Sequence, residues 1–486
     1  MRSRLGWLLL GLALCSTSLV ACGGEGSSST HAAAVVPAVA AQHPPGVSAG
    51  GKRRAKSLSA PTCSGTGQNS FIGGGQGNTA DGVGAGVLAG SYSYVCDQNS
   101  AIAAGQQNII SSASDSAYYS FIGGGFENTI TGLASGAAIA AGLGNAISTS
   151  NTSGYAFIGA GTNNEITDAS GFVGAGGTNT VSALNGAVVA GENNSVTVQD
   201  GVVGGGSSNA ISGEYGFIGA GSTNTLSGEY GVLAGGLNNT VSGEGAYIAA
   251  GGYNTASGEG AVVDGGFNSS ASGTFATVPG GYVNSAAGTY SLAAGARASA
   301  AQTGTFVWSD GSDGDTILTS SRAYQFLARA SGGFTLYTNA ASTVGAQLAA
   351  GSGTWASLSD RNAKTNIVPL DDETVLAKLD ALPISRWSYK TEHGVRHVGP
   401  MAQDFYAAFN VGEDDRHITS IDEDGIALAA IKALHSRVAS LDAENARIRA
   451  KDAAQIGQLR RRLAADEAHE RRLDAEVASL VARSLR

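Results

Sequence analysis

A serine and a lysine stand five positions apart in the run Ser359-Asp360-Arg361-Asn362-Ala363-Lys364-Thr365-Asn366-Ile367. A serine hydroxyl is a poor nucleophile at neutral pH unless a base takes its proton. A lysine can be that base only where burial lowers its pKa from about 10.4. The chemistry would be acyl transfer at a carbonyl close to Ser359. Five residues on one continuous helix lie about 140° apart, so a helix would splay the two groups. A turn has to bring them together, with a neighbouring subunit as one way to complete it. A plainer reading stands beside this one: Ser359-Asp360 opens a helix and Lys364 is a surface charge.

Four cysteines carry the other candidate chemistry. Arg2 and Arg4 precede an apolar run from Leu5 to Leu14, and Leu19-Val20-Ala21-Cys22 follows. The run is too short for a stable membrane span and reads as an export signal over 1–21. Small residues ahead of Cys22 resemble a bacterial lipobox, which implies a diacylglycerol on the thiol and a membrane-tethered chain. Gly23 and Gly24 follow, with no Asp beside the cysteine. By the same resemblance this implies the outer membrane. An ordinary secretion signal with an incidental cysteine is the alternative. Cys15 leaves with the leader, and Cys63 and Cys96 remain. An exported protein can oxidise that pair to a disulfide, with two free thiols as the alternative. The seven histidines are scattered. His393 and His397 lie four apart in a glycine-containing stretch and read as structural, so neither a metal site nor a cofactor is expected.

The elements that carry these groups are unusual. The chain has 486 residues and 73 glycines, about twice the ordinary glycine share. The net charge of -10 argues against nucleic acid as a partner. Between Leu58 and Ala300 the only basic residue is Arg297. Residues 22–61 read as a low-complexity tether. From 62 to 300 a repeat appears. Asn164, Asn179, Asn194, Asn209, Asn224, Asn239 and Asn254 are spaced by 15, and Gly161, Gly176 and Gly191 keep the same step. A fixed period with small residues at fixed offsets is a solenoid signature. Fifteen residues suit two short strands and two tight turns, and a pair such as Phe217-Ile218 or Val232-Leu233 fills a thin interior. Roughly fifteen coils follow, each rising about 4.8 Å. Gly204-Gly205-Gly206 has no following Lys-Ser/Thr and no helix pattern, which argues against a phosphate loop. Glu214, Glu229, Glu244 and Glu259 also repeat by 15 and read as a solvated acidic stripe, with cation binding as the lesser alternative.

The repeat resembles the left-handed parallel β-roll heads of trimeric autotransporter adhesins, the YadA-like heads. The resemblance implies a homotrimer that buries one face of each roll. A single narrow roll with few large residues would bury little.

Residues 301–355 read as a β neck, with Thr305-Phe306-Val307-Trp308 and Gly333-Phe334-Thr335-Leu336-Tyr337 as strands. From Trp355 several motifs follow in order: Leu358-Ser359-Asp360-Arg361, Lys364-Thr365-Asn366-Ile367, Leu382-Pro383, Trp387-Ser388-Tyr389-Lys390, His397-Val398-Gly399-Pro400-Met401-Ala402-Gln403-Asp404-Phe405 and Gly425-Ile426-Ala427-Leu428. They resemble the endosialidase-type intramolecular chaperone of phage tailspikes, with Gly399-Pro400-Met401 departing from the Gly-Phe-Ile of many members. The resemblance covers 355 to about 440 and implies an α+β domain over 356–430 that cuts itself once. It makes Ser359 the nucleophile, Lys364 the base and Leu358–Ser359 the scissile bond. Beyond Ala430 a heptad pattern runs over 431–486, with Asn445 at a core position and an eleven-residue step to Ile456. That is a coiled coil with a local unwinding.

The whole reads as a mainly β, lipid-anchored, surface-exposed homotrimeric fibre, an adhesin or structural appendage. It would be a single-turnover serine autoprotease that acts on itself. The rival reading is a tailspike-like protein that binds or degrades polysaccharide. Glycosidases need paired carboxylates in a cleft, and the rod's carboxylates fall about one per coil.

Overall fold

The computed structural model describes residues 60–485, apart from 64, 113–117 and 151–153. The expected signal segment 1–21 and Cys22 lie outside the described residues. Among the described residues no helix is long and apolar enough to cross a membrane.

The repeat region is a parallel β-solenoid of about 15 turns. Each coil gives one two-residue strand to each of two sheets. One sheet has 17 strands, from Phe71–Ile72 to Phe326–Arg329, and the other has 16, from Thr79–Ala80 to Leu318–Thr319. Register steps by one repeat, as Val202↔Phe217 and Phe217↔Val232 on the first sheet and Ala210↔Thr225 on the second. Successive residues of a strand point to opposite faces. So only one member of each apolar pair enters the core. Ile218 and Leu233 are fully buried, while Phe217 is 42% exposed. The interior is therefore thinner than a two-residue filling implies. It is a single file of Ile, Val, Leu and Ala side chains from each sheet.

The repeated asparagines form a buried ladder. Asn194 Oδ1 accepts the backbone N–H of Asn209 at 3.0 Å and its Nδ2 at 3.0 Å. Asn209 Nδ2 also donates to the Gly221 carbonyl at 3.0 Å. Each amide thereby satisfies backbone groups at the turn, where no strand partner exists. At this turn the left-handed residue is the one before the ladder asparagine, with φ 54° at Thr178, 57° at Asn193 and 59° at Ser208, and the opposite turn has its own, such as Asp200 and Tyr215 at 56° and 57°. Glycine is needed two residues before the left-handed residue of the ladder turn. Gly176 has φ +112°, and a Cβ there would lie 1.9 Å from the Gly191 carbonyl oxygen. Asn209→Ala should orphan the Asn224 N–H inside the wall. A loss of about 1–3 kcal/mol is expected for such a group. It would be read as a lowered melting temperature, with outward Thr225→Ala as the near-neutral control.

Parallel strand pairing runs past the expected end of the roll at 300. Phe306–Asp310 and Phe326–Arg329 continue the first sheet in parallel, and their Phe306 and Phe326 rings stack at 4.7 Å. The antiparallel neck is confined to three strands, Gly333–Tyr337, Gly345–Ala349 and Trp355–Ser357. At the other end Cys63 and Cys96 are joined in a disulfide, which ties the first coil to the second. Glu214, Glu229, Glu244 and Glu259 all stand exposed in turns.

The C-terminal part holds three helices: α1 (Asp372–Asp380), α2 (Ala402–Phe409) and α3 (Ser420–Ser484). Thr419 caps α3, accepting the Asp422 N–H at 3.2 Å. Val375, Leu382, Phe405, Ile426 and Ala429 form a small second core. Lys432–Asp372 at 2.7 Å and Arg437–Glu373 at 2.8 Å tie α1 to α3. Beyond that, α3 continues without a break to residue 484, about 97 Å in all. The helix is unbroken through Asn445, where the apolar pattern of the sequence shifts its seam. Ile431, Leu441, Ile456, Leu463 and Leu480 on that seam are all exposed in the single chain.

Candidate active site

The site forms where the neck ends. The strand Trp355–Ser357 pairs antiparallel with Gly345–Ala349. The Leu358 N–H then donates to the Gly345 carbonyl at 3.0 Å. The backbone is therefore held in the sheet up to the residue before Ser359.

Asp360 then redirects the chain. Its carboxylate accepts the Asn362 N–H at 2.9 Å and the Asn362 side-chain amide at 3.2 Å. This caps a single 3-10 turn, Arg361–Ala363. The Lys364 N–H closes the turn on the Arg361 carbonyl at 3.2 Å, and Lys364 itself returns to extended backbone. The turn folds the chain back on itself, so that the residues on either side of it can meet. The result is that Lys364 Nζ donates to Ser359 Oγ at 2.5 Å. The structure thus brings the two sequence-predicted residues together, through a turn and not a helix.

Residues 353–370 are all exposed in the single chain, so the base and the nucleophile meet in water. The downstream motifs make contacts among themselves. Trp387 stacks on His397 at 4.7 Å, and His397 Nε2 lies 2.9 Å from a Glu392 carboxylate oxygen. His397 is thus engaged by Glu392 and Trp387, and His393 is not its partner. The Thr374 hydroxyl bonds the Asp371 carboxylate at 2.6 Å and holds it below the usual carboxylate range. Met401, in the Gly399-Pro400-Met401 departure, is the residue that opens α2.

Asp360, which the sequence offers as a helix opener, instead caps the turn between the two residues. The signal was present: an Asp followed two positions later by Asn marks a side-chain-capped turn as readily as a helix start. Asp360→Ala should loosen the turn. Losing a hydrogen bond to a charged group costs about 1.5–3 kcal/mol. If that is felt at the transition state, backbone cleavage next to Ser359 should slow by roughly 10- to 100-fold. Asp360→Asn, which keeps an acceptor, should be milder. A time course of product formation separates the two.

No curated protein matches this chain. Residues 359–411 match the family model described as chaperone of endosialidase, a self-cleaving serine-type chaperone domain, and the match begins at Ser359 itself.

Proposed function

We propose that the chain is a homotrimeric fibre whose C-terminal part drives assembly and then severs itself at Leu358–Ser359. The observation that carries the reading is the 2.5 Å hydrogen bond from Lys364 to Ser359, at the first residue of the family match. The Ser359 Oγ attacks the Leu358 carbonyl carbon while Lys364 takes the hydroxyl proton. The C–N bond breaks, the Ser359 amine receives that proton, and an ester joins Leu358 to Ser359 Oγ. Water then hydrolyses the ester. It frees the Leu358 carboxylate and restores the serine hydroxyl. Lys364 needs a drier setting than the single chain provides, and a neighbouring copy supplies it. This couples the cut to assembly. The rod, residues 22–358, stays on the cell surface through a lipidated Cys22 and acts as an adhesin or structural appendage. The fragment 359–486 departs.

Intact mass of the protein from cells tests the reading. Two products split at Leu358–Ser359 are expected, the larger beginning at a diacylated Cys22. A single chain of full mature mass would overturn the self-cleavage. Cys22→Ser should move the rod out of the membrane fraction, because each buried methylene contributes about 0.8 kcal/mol of anchoring. It should leave the cut unchanged.

A further inference from the structure

The turn that returns each coil from the second sheet to the first carries exposed aromatic rings. Tyr215 and Tyr230, on successive coils, stack at 5.1 Å with their planes 7° apart. Phe275 and Tyr290 stack at 5.8 Å and 5°. All four take the left-handed conformation, with φ between 53° and 57°. Gly245 and Gly260 hold the same position in the two coils between the stacks, at 60° and 58°. Glycine makes this turn unaided, so the turn itself does not call for a ring. A Cβ on Gly260 would meet the Phe275 ring at 2.5 Å, so that ring leans back over its glycine. A Cβ on Gly245 would meet nothing within 4 Å. The outcome is a notch in the row, open at Gly245, with Tyr230 on one side and Phe275 on the other. Those two residues stand three repeats apart, about 14 Å at sheet spacing. Tyr230 is 54% exposed and Phe275 50%. Glu229, Glu244 and Glu259 place one exposed carboxylate per coil along the notch. The Tyr230 hydroxyl is raised above its usual range, first by its hydrogen bond to Glu229 and then by the charge of Glu229, with a further push from Glu244. Ring and carboxylates thus share one surface.

We propose that this notch is a docking site for a cationic polypeptide of a foreign partner, with lysine or arginine side chains over the Tyr230 ring and paired to the Glu229, Glu244 and Glu259 carboxylates. A cation over an aromatic face is attracted by the ring's quadrupole, and a planar guanidinium stacks there as well. The charges select the occupant. Between Leu58 and Ala300 the only basic residue is Arg297, so the same coils of another copy have nothing with which to neutralise these carboxylates. A second copy in register would set carboxylate against carboxylate, which is unfavourable. An anionic partner meets the same repulsion. A basic chain instead meets a carboxylate about every 4.8 Å along the edge. The net charge of -10 on the whole chain draws it there. The proposal gives the rod a partner class and does not depend on the self-cleavage, since the notch lies within residues 22–358 whether or not the chain is cut.

Fluorescence anisotropy of a labelled hexa-arginine peptide, titrated with the purified full chain, tests the site. Tyr230→Gly removes the ring and leaves a residue that suits the turn. It should weaken binding by about 2- to 5-fold. Tyr230→Phe, which keeps the ring, should bind as the unaltered chain does. Glu229→Gln combined with Glu244→Gln should weaken binding by about 2- to 30-fold and reduce its dependence on salt. Glu192→Gln removes an exposed charge at the opposite turn and should change nothing. A peptide that fails to bind, or that binds Tyr230→Gly as tightly as the unaltered chain, overturns the site. A loss from Glu192→Gln equal to that from each edge glutamate would show diffuse attraction to an acidic rod, and would overturn it too. Displacement of the peptide by an uncharged oligosaccharide such as maltohexaose would assign the rings to a sugar and overturn the cationic partner. None of these outcomes touches the cut at Leu358–Ser359, which intact mass reads on the same sample.

Discussion

Ser359→Ala is expected to leave one full-length polypeptide where the unaltered chain gives two. Without the hydroxyl there is no nucleophile beside the Leu358 carbonyl, and no ester can form. The loss should be complete on the timescale of expression. Lys364→Ala removes the group that donates to Ser359 Oγ. General-base help of this kind is worth about 10²- to 10⁴-fold, so this variant should also accumulate uncut protein. Lys364→Arg should behave likewise, because a guanidinium stays protonated and cannot accept the hydroxyl proton. All three should still assemble, since Ser359 and Lys364 are exposed and touch neither hydrophobic core. Intact mass and light scattering on the same preparation read both effects. Efficient cutting at Leu358–Ser359 in Ser359→Ala or Lys364→Ala would remove the dyad from the mechanism.

The solenoid was legible because its constraints are local and repeated. Gly176 and its relatives must take a positive φ and approach the next coil's backbone, and only glycine does both cheaply. The ladder asparagines recur because each must cap the turn of its neighbour. Which residue of Phe217-Ile218 faces inward was not legible. A strand of two residues shows too little alternation to assign a face. The boundary near 300 was missed because coil length changes there while pairing does not. Leu292 pairs with Phe306 and Phe306 with Phe326, steps of 14 and 20 residues. A period search loses that register, but the hydrogen-bond ladder keeps it. At the site, the residue types and the need for a turn were readable. The turn itself was not. Three residues carry no periodicity, and the Asp360 cap looks the same in sequence whether a helix or a single 3-10 turn follows.

Removing residues 441–486 should abolish the multimer and, with it, most of the cleavage. The cut is placed after Ser440 for a structural reason. Ile426, Ala429, Ala430 and Ala433 are the buried residues of α3, and Lys432 and Arg437 pair with Asp372 and Glu373. The small second core therefore survives the truncation. What goes is the part of α3 with no partner in its own chain. Leu441, Ile448, Ile456, Leu459, Leu463, Leu473, Val477 and Leu480 are all exposed there. Covering such side chains contributes about 1.5 kcal/mol each or more, so association through this seam is worth on the order of 10 kcal/mol per helix before entropy. An isolated helix of this length has no comparable source of stability. The truncated chain should therefore run as a monomer. It should also keep Ser359 and Lys364 exposed, without the burial that a lysine base requires, and so leave the bond uncut. Intact Ser359–Lys364 geometry without cleavage would show that assembly, and not the dyad alone, starts the reaction. A soluble, multimeric and fully cut truncated protein would show that the second core and the sheet suffice, and that the long helix serves something else.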